Sequence, residues 1–413
     1  MAVPNYLQFT AMFRGLAGLY AATFLSGAWA MVIPTIPVLG QHFAVSAGAA
    51  AQIITAFAIG KLLGTVIAGV ILDRMGTRVA LVGGPLAAGL ASLAAAAAPW
   101  LSLILLLALV MGAADSLWAT GREVSGIDLA QRSRRGRVIS SLHGTHNIGA
   151  AVAPFLGGWL TDLFSFKAVF VGYAVATLLA VFLGFAGPDI PAGAAPQTSQ
   201  AAAGGWTWAA LKQRLRSVAA LFKEIRPELR STYLALCLAT LASQSQRIIV
   251  QSMLPLYASA YLNLSPTEIG MLFTISGVIV FAMIIPAGLV MDRVGRKWCT
   301  VPSTGIPALV FVLIPMTNNF TQLAVLVGLA GLAQGLSLGS VATSTYDVVP
   351  THVRGRLQAV RRTVAELGSG LAPLFGGYLA NTFNPGVPFL VYAPLLVVSA
   401  TLLAVVGKET LER

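Results

Sequence analysis

Charge is what this sequence has least of. Asp, Glu, Lys and Arg make up 10% of its 413 residues, whereas a soluble domain carries about 25%, so a water-soluble fold is excluded. Acids are the scarcer sign, 14 against 26 Lys and Arg, for a net charge of +12. Cysteine occurs twice. Cys237 and Cys299 lie on separate apolar stretches, which argues against a disulfide framework or a thiolate metal site. The chain has no Walker-type phosphate loop, no metal-ligand cluster and no nucleophile elbow. Its glycine-rich stretches fall inside apolar segments, where they cannot cradle nucleotide phosphates. An ATP-driven pump or an enzyme is therefore disfavoured, and neither a cofactor nor a metal is expected. Residues 1–13 lack a basic leader region, so no cleavable signal is expected.

What is abundant is apolar length. Hydrophobic residues make up 57% of the chain, and mean hydropathy is +0.81. The runs are about 20 residues long, enough to cross a hydrocarbon core of about 30 Å as helix. Strands of a membrane barrel would be half as long and would alternate. The expected fold is an all-α membrane protein with twelve spans, near 10–36, 48–70, 77–98, 101–123, 138–160, 168–187, 232–257, 267–290, 298–316, 321–343, 356–380 and 387–407. Basic residues collect at alternate span ends, among them Arg74, Arg78, Arg135, Arg137, Arg293, Lys297, Arg354 and Arg356, with only Lys167 on the opposite side. By the positive-inside rule this places both termini in the cytoplasm and the chain in the inner membrane. It also accounts for the +12 charge without nucleic acid. The expected partners are the lipid bilayer, a small-molecule substrate and protons, and a monomer is expected.

The second half repeats the first at an offset of 219 residues (69 to 288). Gly69-Val-Ile-Leu-Asp73-Arg74-Met-Gly76-Thr-Arg78 returns as Gly288-Leu-Val-Met-Asp292-Arg293-Val-Gly295-Arg296-Lys297. Gly149 to Ala153-Pro154-Phe-Leu-Gly157-Gly158 returns as Gly368 to Ala372-Pro373-Leu-Phe-Gly376-Gly377, and Asp128 returns as Asp347. A repeat this long is a duplicated domain. Two six-span bundles are expected, 1–187 and 232–413, joined by a cytoplasmic linker, 188–231. Apolar residues from Trp208 to Leu229 recur at three- and four-residue steps, which predicts an amphipathic helix lying on the inner leaflet.

These motifs resemble those of the major facilitator superfamily. The charged, glycine-bearing loop after the second span, repeated after the eighth, is similar to that family's signature loop. The fifth-span stretch ending Pro154-Phe-Leu-Gly157-Gly158 is similar to its antiporter motif, and the closest flavour is the drug:proton antiporter branch. The resemblance implies a fold of two pseudo-symmetric six-helix bundles and alternating access. It implies that Asp128 pairs with Arg78 and Asp347 with Lys297, as gate charges beside Asp73, Arg74, Asp292 and Arg293. Two positions depart from that branch. The Arg it carries four residues before the fourth-span glycine is Ala108 here, and residues 15–37 hold no acid, so any proton carrier lies elsewhere.

Ionisable groups inside spans are costly and are functional candidates by default. Four stand clear of span ends: Lys61, Asp115, Arg247 and Glu366. Arg122 and Glu123 end the fourth span and are expected at the interface. Lys61 lies 12 residues before Asp73, and Glu366 lies 12 after Arg354. Both therefore sit about 18 Å deep, and a Lys61–Glu366 pair is expected. Glu366 and Lys61 are the leading candidates for proton coupling, followed by His143 and His146, which titrate near neutrality. Thr240, Ser243, Gln244, Arg247 and Gln251 share one face of the seventh span, and a polar stripe there lines water or substrate. Substrate contacts are expected from Arg247, Gln244, Gln251, Ser243, Asp115 and Asn147. The expected function is secondary active transport of a small organic solute, with proton-coupled export. An organic-anion importer or facilitator using Arg247 and Lys61, or a transporter-like receptor without flux, are the alternatives.

Overall fold

The computed structural model describes residues 6–129, 135–185, 221–350 and 352–409. Every regular element among them is helical. Helix α1 (Tyr6–Leu25) runs through a 3₁₀ stretch (Ser26–Thr35) into α2 (Ile36–His42); then come α3 (Ala47–Met75), α4 (Thr77–Ala96), α5 (Leu101–Leu129), α6 (Arg135–Leu163) and α7 (Phe166–Phe185). The second half holds α8 (Pro227–Leu262), α9 (Pro266–Arg293), α10 (Lys297–Leu313), α11 (Phe320–Ser337), α12 (Ser340–Val348), α13 (Arg354–Thr382) and α14 (Val387–Val405).

Most of the linker, and with it most of the expected amphipathic helix, lies outside the described residues. Its last turn is described: Leu221 and Ile225 are buried against Tyr233, Leu236 and Leu357. Two expected spans are not continuous helices. The first tightens to 3₁₀ where Pro34 and Pro37 withhold N–H groups. The tenth breaks between α11 and α12 at Gly339, whose φ is +84°.

Among the described residues, nine helices are long and apolar enough to cross a membrane. The long helices α6, α8 and α13 are not among them. These are the helices that carry His143, His146, Asn147, the Arg247 stripe and Glu366, so polarity concentrates on the elements that bear the candidates.

The chain divides into two compact units. Unit 1 holds Met1–Val45, Gln52–Ala203 and Ser265–Thr274; unit 2 holds Ser46–Ala51, Gly204–Leu264 and Ile275–Arg413. In unit 1, α4 packs along α5 and α7, and α6 packs along the 3₁₀ stretch. Its core is sealed by Trp118, Phe170 and Tyr173. In unit 2, α13 packs on α8, and α10 on α11 and α14, with Phe311 and Phe389 at the centre.

The repeat extends into the turns. Ala44 (φ +50°) and Asn263 (φ +49°) occupy the same left-handed turn, 219 residues apart. Ser46 and Ser265 follow, and their hydroxyls accept from the N–H groups of Ala49 and Glu268, each at 3.3 Å. In the second copy Glu268 accepts back from the Ser265 N–H at 2.8 Å, completing a capping box.

Candidate functional site

In unit 1, glycines let α3 and α5 touch backbone to backbone. A Cβ at Gly60 or Gly64 would overlap the carbonyls of Leu109 and Ala113, and one at Gly112 the carbonyl of Phe57. Small residues permit such approach in lipid, and here it brings Lys61 onto Asp115, Nζ to Oδ2 at 2.8 Å. The Asp115 side chain is 4% exposed and that of Lys61 45%. Thr65 and Ser116 hydroxyls meet beside the pair at 2.9 Å. Asp115 Oδ1 has no hydrogen-bond donor among the described residues. The expected Lys61–Glu366 pair is therefore corrected: the amine is committed to Asp115, a partner that only the helix crossing selects.

Arg122 corrects a second expectation. It is 6% exposed and lies over Trp118, 4.5 Å from the ring centroid. Residues four apart on α5 share a face, so the indole covers the guanidinium. Asp115 lies within electrostatic range of both Arg122 and His146. His146 Nδ1 meets Ser26 Oγ at 2.8 Å. His143 is exposed, 3.7 Å from Glu123, and Asn147 is half-buried. Sequence reasoning also missed an aromatic group beside the ion pair. Trp29 stacks on Phe57 at 3.8 Å with Tyr173 edge-on at 5.8 Å, and Lys61 Nζ lies 5.7 Å from the Phe57 ring. The Trp118/Arg122 spacing was a readable signal; the aromatic stack, built from three helices, was not.

In unit 2, Arg247 reaches open space midway along α8, and its electrostatic partner is Glu366 of α13. Gln244, Gln251 and Ser243 are half-buried along the same helix. Thr240 is buried and accepts from the Arg361 guanidinium at 3.2 Å, and Arg361 also donates to Gln358 Oε1 at 2.9 Å.

The repeated loops turn on one glycine each. Gly76 (φ +79°) and Gly295 (φ +144°) are left-handed, whereas Gly69 and Gly288 are helical. Asp73, Arg74, Asp292 and Arg293 are exposed. Asp347 takes Arg296, Nε to Oδ2 at 2.6 Å, and Asp292 lies 4.0 Å from the same guanidinium. This corrects the expected Asp347–Lys297 pair. Arg296 precedes α10 and lies between the two acids, while Lys297 has already entered the helix. The N–H groups of Arg296 and Lys297 are capped by Glu409 at 2.8 and 3.1 Å. In the first loop Arg78 donates to the Phe185 carbonyl at 3.5 Å; the Asp128 side chain lies outside the described residues.

The glycine–proline motif is a set of close crossings. Within unit 1, Gly149 and Gly157 rest on the carbonyls of Phe24 and Met31, and Gly158 on that of Pro266. Gly270 rests in turn on the Pro154 carbonyl. Within unit 2, Gly376 abuts Ile249, and Gly48 rests on the carbonyl of Gly377, four residues past Pro373.

A family model described as Major Facilitator Superfamily matches residues 19–244 and 236–412. The cis,cis-muconate transport protein of Acinetobacter baylyi is 25% identical over 279 residues, 67% of this chain and 65% of that protein. The chain thus matches just under two thirds of that relative's length. Multidrug resistance protein MdtG of Escherichia coli (strain HS) is 23% identical over 405 residues, 94% of this chain and 93% of that protein. Among solved structures, a mutant of the peptide transporter POT aligns with a TM-score of 0.77 at 14% identity, covering 95% of each chain.

Proposed function

This chain belongs to the major facilitator superfamily of membrane transporters, and from that premise we propose that it is a proton-coupled carrier of small organic anions in the inner membrane, with both termini cytoplasmic. The observation that carries the reading is that Arg247 and Glu366 lie within electrostatic range of each other on the polar faces of α8 and α13. A guanidinium that reaches open space presents a planar fork to a carboxylate. A solute anion that takes Arg247 competes with Glu366 for the same guanidinium, and Glu366 is the carboxylate placed to carry the proton. Anion and proton then move together. The excess of cations over acids at the unit 1 site, half-exposed Lys61 and buried Arg122 against Asp115, supports the same solute charge. So does the dicarboxylate, cis,cis-muconate, for which the Acinetobacter relative is named.

The multidrug relative favours a second reading, export by proton exchange. A cationic solute would occupy Glu366 in place of the proton, and the same pair would run as an antiporter. Both readings are tested in proteoliposomes with an internal pH dye. Radiolabelled cis,cis-muconate entering with protons supports the first. Tetraphenylphosphonium leaving as protons enter supports the second and overturns the first. Absence of flux with both probes favours a receptor.

A further inference from the structure

The leading turns of α3 and α9 are each held by one side chain, and the two holds differ by one charge. In unit 1 Asp162, in the last turn of α6, accepts through Oδ2 from the Thr267 N–H at 2.9 Å and from Thr267 Oγ1 at 2.5 Å. In unit 2 Asn381, at the matching place on α13, accepts through Oδ1 from the Gly48 N–H at 2.7 Å. Thr267 and Gly48 are both second residues of their helices and are 219 apart. The carboxylate faces the positive end of α9 and takes two charge-assisted bonds. The amide is neutral, takes one, and its partner has no side chain. The acid nearest in sequence to Thr267, Glu268, is turned to the Ser265 N–H. The rest of the α9 seat is backbone contact at Gly158, Pro154 and Gly270, plus a bond from Thr274 Oγ1 to the Ala151 carbonyl at 2.8 Å. None of these contacts carries a charge, so the two charge-assisted bonds to Asp162 are the strongest polar hold on this turn.

We propose that Asp162 is a gating residue of transport, a latch that holds the leading turn of α9 on α6 and must release each time that turn lifts. Its role in a cycle rests on the transport reading; the latch itself does not.

The test uses the full chain in lipid nanodiscs, with Cys237→Ala, Cys299→Ala and an Ala151→Cys reporter. Ala151 is 7% exposed and lies under Thr274, so its thiol meets methyl methanethiosulfonate only when the α9 turn lifts. Asp162→Asn should raise the labelling rate about 3- to 10-fold and Asp162→Glu should restore it. Equal rates for Asp162→Asn and its parent overturn the latch. Should Asp162→Asn fail to fold, Thr267→Val removes the hydroxyl donor alone; a rise of about 3-fold is expected, and no rise overturns the latch. In cis,cis-muconate counterflow, Asp162→Asn should change turnover at unchanged half-saturation. Unchanged turnover with faster labelling overturns the gating role. Labelling is read without solute or pH gradient, so its failure is distinguishable from failure of the transport reading.

Discussion

At the residue scale the decisive group is Asp115. It is sealed, and its field is shared by Lys61, in contact at 2.8 Å, and Arg122, held on Trp118. The two sides of the ion pair are therefore unequal. Asp115→Asn leaves Arg122 as an uncompensated buried cation, which costs about 3–5 kcal/mol. Lys61→Met leaves Asp115 with Arg122 and removes a half-exposed amine, which costs about 1 kcal/mol or less. Thermal denaturation of the purified variants should therefore rank Asp115→Asn well below Lys61→Met; the reverse order would show that Arg122 does not compensate the acid. Ala44 gives a second prediction. Its left-handed backbone costs a non-glycine residue about 1–2 kcal/mol, a cost that Asn, as at position 263, bears more readily. Ala44→Gly should raise thermal stability by about 1 kcal/mol, and a lowered melting point would contradict the strain. That Lys61 and Asp115 matter was legible, because charges inside apolar runs stand out. Their pairing was not, because it is decided by three glycines on two helices.

At the element scale, glycine in α6 and α13 serves two different purposes that look alike in sequence. At Gly158 a methyl group would overlap the Pro266 carbonyl, a backbone atom that moves only if α9 moves. At Gly370 a Cβ would meet nothing within 4 Å. Gly158→Ala should cost about 1–3 kcal/mol by overpacking. Gly370→Ala should be neutral or stabilising by up to about 1 kcal/mol, from helix propensity. Melting curves of the two variants check this, and equal loss in both would mean that the crossing is not tight. The 219-residue offset announced the motif. It did not say that Gly149 and Gly157 face the first span while Gly158 faces α9, because that depends on how α6 is rotated among its neighbours. Span ends were misjudged for related reasons. Prolines near 34 tighten the first span to 3₁₀ without ending it, and Gly339 breaks the tenth inside its apolar run.

At the scale of the whole molecule, hydropathy and function pull against each other. The duplicated, all-α architecture was readable because a repeat and long apolar runs survive without knowledge of packing. The polar helices α6, α8 and α13 were readable as spans chiefly because the repeat demanded them, since composition alone leaves them short. Their polarity must be carried by neighbours. Between residues 357 and 380 helix α13 holds Arg361, Arg362 and Glu366, whereas α14 holds no charge. An ionised side chain costs about 2.5–3.5 kcal/mol at a helix centre, and each Leu, Val or Phe returns only about 0.3–0.6 kcal/mol. Three such charges therefore outweigh the apolar residues around them, even with discounts toward the helix end. The compensation available in unit 2 is specific: Thr240 and Gln358 for Arg361, and Arg247 of α8 for Glu366. In a glycosylation-mapping insertion assay, an isolated segment spanning 357–380 should fail to insert, while 387–405 inserts efficiently. Supplying α8 ahead of the α13 segment should raise its insertion, and Arg247→Ala in that α8 should remove much of the gain. Efficient insertion of the isolated α13 segment would mean that its charges reach water at the membrane surface and need no compensation from Arg247.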